Sequence, residues 1–128
     1  MDSIEQQFRR MTFNIIGRNQ DDHVKNISFL MNRSGGWSLA PAYDVTYSYN
    51  PNGAWTSTHQ MSLNGRRDDF TFEDFRACAK SISMKRGRAK AILNEVQNAV
   101  SKWKKFAAKA NVPKELANRI AKTHRTYF

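Results

Sequence analysis

Apolar side chains recur at helical spacing near the start of the chain. From residue 4 to residue 18 they repeat every three or four positions, at Ile4, Phe8, Met11, Thr12, Ile15 and Ile16. This is the period of an amphipathic α-helix with one buried face. Gly17 readily takes left-handed backbone geometry, so we predict that it ends the helix.

Two short apolar runs follow, separated by a turn. Residues 27–31 (Ile-Ser-Phe-Leu-Met) are apolar enough for a buried strand, residues 32–36 (Asn-Arg-Ser-Gly-Gly) have turn composition, and residues 37–39 (Trp-Ser-Leu) give a second strand. The pattern therefore predicts a β-hairpin. Because its antiparallel strands are similar in length, Asn26 before the first strand and Asp44 beyond the second must lie close together.

No clear period extends over residues 45–64, which predicts a long loop of the kind often found near functional sites. A short strand and turn are expected within it at residues 59–65. A lone histidine in such a place packs or forms hydrogen bonds more often than it binds a ligand. We therefore expect His59 to have a structural role.

The remainder of the chain is patterned as helices. Thr71 is followed by Asp74 at the spacing of a capping box, which predicts a helix over residues 71–82. Ser83 is expected to cap a longer helix that Asn111 closes, because apolar residues recur at helical spacing between them. A last helix is expected over residues 113–124, with Pro113 near its first turn.

This order of elements predicts one α+β, mainly α domain that covers residues 1–128. No run of eighteen apolar residues is present, so no membrane helix is expected, and the acidic start lacks the features of a signal peptide. Cys78 is the single cysteine and cannot form an internal disulfide; its helical setting predicts a buried structural residue. These features favour a cytoplasmic location.

Charge divides the chain unevenly. The net charge is +10, but residues 80–128 hold thirteen Lys and Arg against two Asp and Glu, a net charge of +11. Such a region can bind phosphates, nucleic acid or an acidic protein. A solvated helical surface is an equally good explanation, and the sequence leaves both open.

The candidate chemistry lies in residues 19–26 (Asn-Gln-Asp-Asp-His-Val-Lys-Asn), which we call the polar loop. Asp21 and Asn26 have the five-residue spacing of a kinase catalytic loop, where the Asp accepts the proton of the attacking hydroxyl and the Asn holds a metal ion. Asp44 is placed to be a second metal-binding residue, and oxygen ligands suit Mg²⁺. His23 and Lys25 would steady the transferred phosphate or support the loop.

Residue identities make this hypothesis more specific. The polar loop with Ile-Ser-Phe-Leu after it, the segment Leu-Ala-Pro-Ala-Tyr-Asp-Val at residues 39–45 and His-Gln-Met-Ser-Leu-Asn-Gly-Arg-Arg at residues 59–67 resemble the C-terminal domain of HipA-like serine/threonine kinase toxins. The resemblance implies the large, mainly helical lobe of a protein-kinase-like fold. It implies that Asp21 is the catalytic base, that Asn26 and Asp44 bind Mg²⁺, and that ATP is the phosphoryl donor.

The resemblance also implies partners and a missing part. The partners are a HipB-like helix-turn-helix antitoxin, operator DNA through the antitoxin complex, and a protein substrate such as an aminoacyl-tRNA synthetase. A Gly-rich phosphate loop, a strand lysine with its glutamate partner and an adenine hinge are expected upstream, and the sequence shows none of them. We therefore expect a fragment, a truncated product or one subunit of a split kinase, inactive alone.

Three hypotheses remain: the kinase lobe, a non-catalytic basic module that binds nucleic acid or an acidic protein, and an unrelated Mg²⁺-dependent hydrolase. The presence of Asp21, Asn26 and Asp44 together favours the first over the second. The hydrolase is disfavoured because the sequence has no further cluster of acidic or histidine ligands.

Overall fold

The computed structural model describes residues 2–128. The elements are α1 (Ser3–Gly17), a 3₁₀ turn (Val24–Asn26), β1 (Phe29–Met31), β2 (Trp37–Leu39), α2 (Phe72–Ser81), α3 (Arg88–Val100), α4 (Trp103–Lys109) and α5 (Lys114–Ala121). The predicted class, α+β and mainly α, is confirmed. Within residues 2–128, no helix has the length and apolar character needed to cross a membrane.

The core forms where α1 and α2 pack against α3. The periodic apolar face of α1 is buried as predicted from Phe8 onward, with Ile15 and Ile16 fully inaccessible, but Ile4 is exposed. They meet Ile92 of α3 and Phe75 of α2, which are also fully buried. Burial of one such side chain stabilises the fold by about 1.5–3 kcal/mol. This packing gives the polar loop, which follows α1 directly, a rigid base.

The C-terminal end of α1 differs from the prediction by one residue. Gly17 remains helical, and the left-handed residue is Arg18, with φ 61°. Glycine was expected there because it carries no conformational penalty. Arg18 is held instead by its side chain, whose guanidinium lies 4.4 Å from the ring centroid of Tyr49 and donates through Nε to the carbonyl of Thr123 at 2.8 Å.

The β-hairpin forms, but the prediction of a buried first strand is wrong. Phe29 pairs with Leu39 and Met31 with Trp37 in an antiparallel register. The side chains of Phe29, Met31 and Trp37 are 56%, 60% and 67% exposed. The strands are only three residues long and form a two-stranded sheet that no third strand joins among residues 2–128. Apolar composition predicted the strand correctly but could not indicate what covers it.

A long irregular segment connects β2 to α2, as predicted for residues 45–64. The short strand expected near residues 59–65 is absent, and a tight turn takes its place. Leu63 and Arg66 exchange two backbone hydrogen bonds, at 2.9 and 3.0 Å, in a single isolated bridge. This turn returns His59 and Arg67 to neighbouring positions, where the amide of His59 donates to the carbonyl of Arg67.

The predicted capping box at the start of α2 is confirmed. The backbone N–H of Thr71 donates to Asp74 Oδ2 at 2.8 Å, while the Thr71 hydroxyl also contacts this carboxylate. Cys78 is half-buried against the core. Burial raises the pKa of its thiol.

The prediction of one long helix capped by Ser83 is wrong. Ser83 lies beyond the end of α2 with φ 54°, and α3 starts later, after Gly87. The apolar period then continues into a second helix, because the chain bends after Val100. The bend lets the indole of Trp103 donate to the carbonyl of Ala117 at 2.9 Å, which joins α4 to α5. Asn111 follows α4 in left-handed geometry, at its predicted place, and α5 ends at Ala121, before the predicted residue 124.

Candidate active site

The structure brings Asn26 and Asp44 into direct contact. Asn26 Nδ2 donates to Asp44 Oδ2 at 2.9 Å and to the backbone carbonyl of Asp21 at 3.2 Å. A second link lies beside the first, since the Tyr43 hydroxyl donates to the carbonyl of Lys25 at 2.8 Å. The two ends of the hairpin are therefore tied to each other, as its antiparallel geometry requires.

The side chains of the other three candidate residues have fewer polar partners. The Asp21 side chain is 45% exposed, and its Oδ1 lies 3.8 Å from His23 Nε2. Lys25 is exposed, and its ammonium group forms no hydrogen bond or ion pair within the described part of the chain. Asp21 and His23 thus lie together, while Lys25 is free to meet a ligand. Their chemical roles stay predictions.

Asp44 has an uncommon backbone conformation. Its φ is 51°, in the left-handed region that L-residues other than Asn and Asp rarely occupy. The backbone carbonyl of Asp44 also accepts a weak hydrogen bond from Asn19 Nδ2 at 3.4 Å. Such geometry turns the side chain back toward Asn26 and costs about 1 kcal/mol or more.

The oxygen atoms of Asn26 and Asp44 are of the kind that Mg²⁺ takes as ligands. Asp44 offers a carboxylate, whereas Asn26 must rotate its amide to present Oδ1, because Nδ2 faces the carboxylate here. No cluster of three or more His, Cys, Asp or Glu side chains able to hold a metal occurs among residues 2–128. Mg²⁺ commonly takes one or two protein oxygens and completes its six ligands with water and phosphate oxygens.

A cavity of about 460 Å³ lies beside these residues, between α1, α3 and the polar loop. His23, Asn26 and Asp44 are part of its wall, together with apolar side chains such as Met11 and Val96. This volume is within the range of small-molecule sites. Three of the five candidate residues therefore border this cavity, whereas Asp21 and Lys25 are not among the residues that line it.

Asp22 is the neighbour of Asp21 and has the opposite environment. Its carboxylate is buried, and it accepts hydrogen bonds from His59 Nδ1 at 2.7 Å and from the backbone N–H groups of Gln60 and Met61 at 2.8 and 3.3 Å. Burial alone would raise the pKa of Asp22. The hydrogen bonds from His59, Met61 and Gln60 outweigh burial and hold the pKa below its ordinary value.

His59 is itself fully buried and acts as a hydrogen-bonding residue, as the sequence suggested. No sequence pattern indicated a role for Asp22. Its partners lie nearly forty residues away in an irregular segment, so no local spacing pointed to them. The only available signal was that the sequence contains a lone histidine, His59, and an acid without a predicted role, Asp22, which could form a hydrogen bond.

Comparison with known proteins supplies the family. A family model described as HipA-like C-terminal domain matches residues 1–104. A search of curated proteins gave no match. The matched residues include the polar loop, the hairpin, the long irregular segment and α2 to α3.

Proposed function

Because the chain belongs to the HipA-like C-terminal domain family, we propose that it is the catalytic lobe of a serine/threonine protein kinase. In this proposal it adopts the large, mainly helical lobe of a protein-kinase-like fold. The reaction is transfer of the γ-phosphoryl group of ATP to a protein hydroxyl. The observation that supports it most is the contact of Asn26 with Asp44. Asn26 lies five residues after Asp21, whose side chain is half-exposed.

Asp21 acts as the proton acceptor. Its carboxylate is accessible, so a serine or threonine hydroxyl can approach within hydrogen-bond distance and lose its proton as it attacks phosphorus. A positioned general base contributes about 10²–10⁴-fold to the rate. The backbone carbonyl of Asp21 is fixed by Asn26 Nδ2, which keeps the base and the metal-binding residues in a constant relation.

Asn26 and Asp44 hold the metal. Mg²⁺, when bound, neutralises charge on the phosphate oxygens and orients the γ-phosphoryl group. Asp44 supplies a carboxylate oxygen and Asn26 an amide oxygen. His23, 3.8 Å from Asp21, and the free ammonium of Lys25 are placed to contact the phosphates.

The nucleotide needs a second structural unit. The sequence has no Gly-rich phosphate loop and no strand lysine with a glutamate partner. We propose that an ATP-binding lobe, encoded upstream or on another chain, completes the enzyme. The family suggests a toxin–antitoxin setting, with a HipB-like antitoxin, operator DNA through that complex, and a substrate such as an aminoacyl-tRNA synthetase.

The test is to join the chain to such a lobe, by fusion or as a separate chain, and to measure transfer of labelled phosphate. The restored protein should phosphorylate serine or threonine only with Mg²⁺ and ATP, whereas the isolated chain should not. Asp21→Asn should reduce the rate by about 10²–10⁴-fold because it removes the base. Asp44→Asn should raise the Mg²⁺ concentration needed for half-maximal rate.

Asp69→Asn serves as the matched control, since Asp69 is exposed and distant in sequence from the site. It should leave the rate unchanged. An active restored enzyme in which Asp21→Asn is as fast as Asp69→Asn would disprove the assignment of the base.

A second candidate function is supported by the basic surface. All nine lysines in residues 80–128 are exposed, and none forms an ion pair within residues 2–128. Unpaired cations on α3 to α5 can bind the phosphate backbone of nucleic acid without reading its sequence.

This candidate predicts weak DNA binding whose log binding constant falls linearly with log salt concentration. Fluorescence anisotropy with two unrelated duplexes measures it. Equal affinity for both duplexes is expected at low salt. Strong preference for one duplex, or affinity that high salt does not reduce, would contradict an electrostatic surface.

A further inference from the structure

The chain ends by crossing behind the polar loop. After α5, the backbone N–H of Arg125 donates to the carbonyl of Ile16 at 3.0 Å, and Arg125 Nη1 donates to the carbonyl of Ile15 at 2.9 Å. The ring of Phe128 packs against Phe75 with a centroid distance of 5.1 Å. These contacts hold Arg125 against the last turn of α1, where the polar loop begins, and Phe128 against α2.

Arg125 also reaches the residue that holds Asp22. Its Nη1 lies 3.1 Å from His59 Nε2, while its Nη2 is paired with Asp68. A guanidinium has only donors, so His59 Nε2 must be the acceptor. The single proton of the imidazole therefore lies on Nδ1, which donates to Asp22 Oδ2. The hydrogen bond from Arg125 to His59 is thus consistent with the direction of the hydrogen bond from His59 to Asp22.

The result is a continuous path from the C-terminal segment to the candidate base. Asp22 receives the Nδ1 proton and two backbone N–H groups, so its carboxylate is fixed in one orientation. Asp21 is the adjacent residue; its backbone carbonyl is held by Asn26 Nδ2, whereas its side chain has only His23 nearby, at 3.8 Å. The anchoring of Asp22 fixes the backbone from which the Asp21 side chain projects.

We propose that Arg125 is a positioning residue that sets the geometry of the polar loop through His59 and Asp22. Its catalytic consequence rests on the kinase function proposed above. Arg125 lies beyond residues 1–104, the part matched by the family model. The C-terminal segment is therefore an integral part of the site rather than an appendage.

The structural half of this proposal is tested in the 128-residue chain by ¹⁵N NMR of the histidine side chains. His59 in the wild type should carry its proton on Nδ1 alone. Arg125→Met, which keeps the length but removes the donors, should shift the His59 Nε2 signal and the amide signals of residues 21–26, while Nδ1 keeps its proton because the Asp22 carboxylate can only accept. Arg125→Lys retains a donor group and should restore these signals in part.

Arg119→Met is the matched control, because Arg119 is exposed and forms no ion pair within residues 2–128. It should leave both sets of signals unchanged. The wild type alone is decisive if Arg125→Met does not fold: a His59 protonated on Nε2 overturns the proposal. Unchanged signals in a folded Arg125→Met also overturn it.

The catalytic half is tested in the chain joined to an ATP-binding lobe. Arg125→Met should lower kcat on the order of 100-fold, since displacement of a reacting group by about 1 Å has such an effect. KM for ATP should stay near that of Arg119→Met, because Arg125 contacts neither Asn26 nor Asp44. A kcat equal to that of Arg119→Met would overturn this half. An inactive wild type with the expected His59 tautomer would instead refute the kinase function and leave the loop positioning intact.

Discussion

The polar loop has two faces that differ in almost every physical respect. On the front face, the candidate catalytic groups are exposed or half-exposed, and the ammonium group of Lys25 has no partner within residues 2–128. On the rear face, Asn19, Gln20 and Asp22 are buried. Asp22 accepts three hydrogen bonds there, whereas the adjacent Asp21 side chain has only His23 nearby, at 3.8 Å.

This difference shows how a short irregular loop can be both rigid and reactive. The buried Asp22 carboxylate accepts three hydrogen bonds, and another conformation of the loop would leave it unsatisfied. The front groups must instead keep free lone pairs and donors for a ligand. Precise placement of functional side chains depends on such a supporting layer. The rear should therefore govern stability, and the front should govern binding and catalysis.

The largest expected effect is on the rear. Asp22→Asn should lower the free energy of unfolding by about 2–3 kcal/mol, the range for losing hydrogen bonds to a charged group and leaving a buried donor unpaired. The new amide can accept from Gln60 and Met61, but its NH₂ then opposes His59 Nδ1–H. Arg125 prevents His59 from switching tautomer. Urea denaturation followed by circular dichroism measures the change.

Asp21→Asn is the paired control for this experiment, because it makes the same change one residue away. It should alter the free energy of unfolding by less than about 0.5 kcal/mol, as is usual for exposed sites. If both variants were equally stable, the division of the loop into a stabilising rear and a reactive front would be wrong.

The front of the loop was largely predictable from the sequence, and the rear was not. The spacing of Asp21 and Asn26 is local, and the proximity of Asn26 to Asp44 follows from hairpin geometry. The contact of Asp22 with His59 and the contact of His59 with Arg125 join residues 37 and 66 positions apart through irregular segments. No periodic pattern encodes such contacts.

The same reasoning explains the fold. The helix α1 and the capping box of α2 follow from patterns within a few residues, and both were predicted. The exposure of β1 and the bend between α3 and α4 depend instead on contacts with segments that are distant in the sequence. Trp103 was correctly placed at helical spacing, yet it lies in a separate helix after the bend, where its indole donates to the carbonyl of Ala117.

Acidic pH should reduce the contribution of the rear face to the free energy of unfolding. The pKa of Asp22 is lowered in the folded protein, so its ionised form stabilises the fold above the ordinary carboxyl pKa of 3.8. That contribution is lost as the pH falls through the folded-state pKa. Asp22→Asn cannot titrate at this position. The stability difference between wild type and Asp22→Asn should therefore be largest near pH 7 and shrink toward pH 3.

Urea denaturation of both proteins at pH 7 and near pH 3 measures this difference. Asp74, whose pKa is also lowered, is present in both proteins and cancels in the subtraction. A difference that stays constant, or grows in acid, would show that the Asp22 carboxylate is not the ionised hydrogen-bond acceptor described here.

The smallest expected effect is on the front, at Asp44. Its φ of 51° is strained for an L-residue, and glycine takes that geometry freely. Asp44→Gly should relieve about 1 kcal/mol of strain and lose one half-exposed hydrogen bond to Asn26, worth about 0.5–1.5 kcal/mol. The two terms nearly cancel, so the free energy of unfolding should change by less than about 0.5 kcal/mol.

Ser83→Gly calibrates the strain term for Asp44→Gly. Ser83 has φ 54° and is exposed, and its side chain forms no hydrogen bond within residues 2–128, so this variant should gain about 1 kcal/mol. The difference between the two glycine variants then gives the stability that the Asp44 carboxylate contributes, which should be about 1 kcal/mol. If Asp44→Gly lowered the free energy of unfolding by 2 kcal/mol or more, Asp44 would be a stabilising residue like those of the rear face. A small change accompanied by loss of Mg²⁺-dependent activity in the restored enzyme would instead show that the strained carboxylate is retained for its ligand and not for the fold.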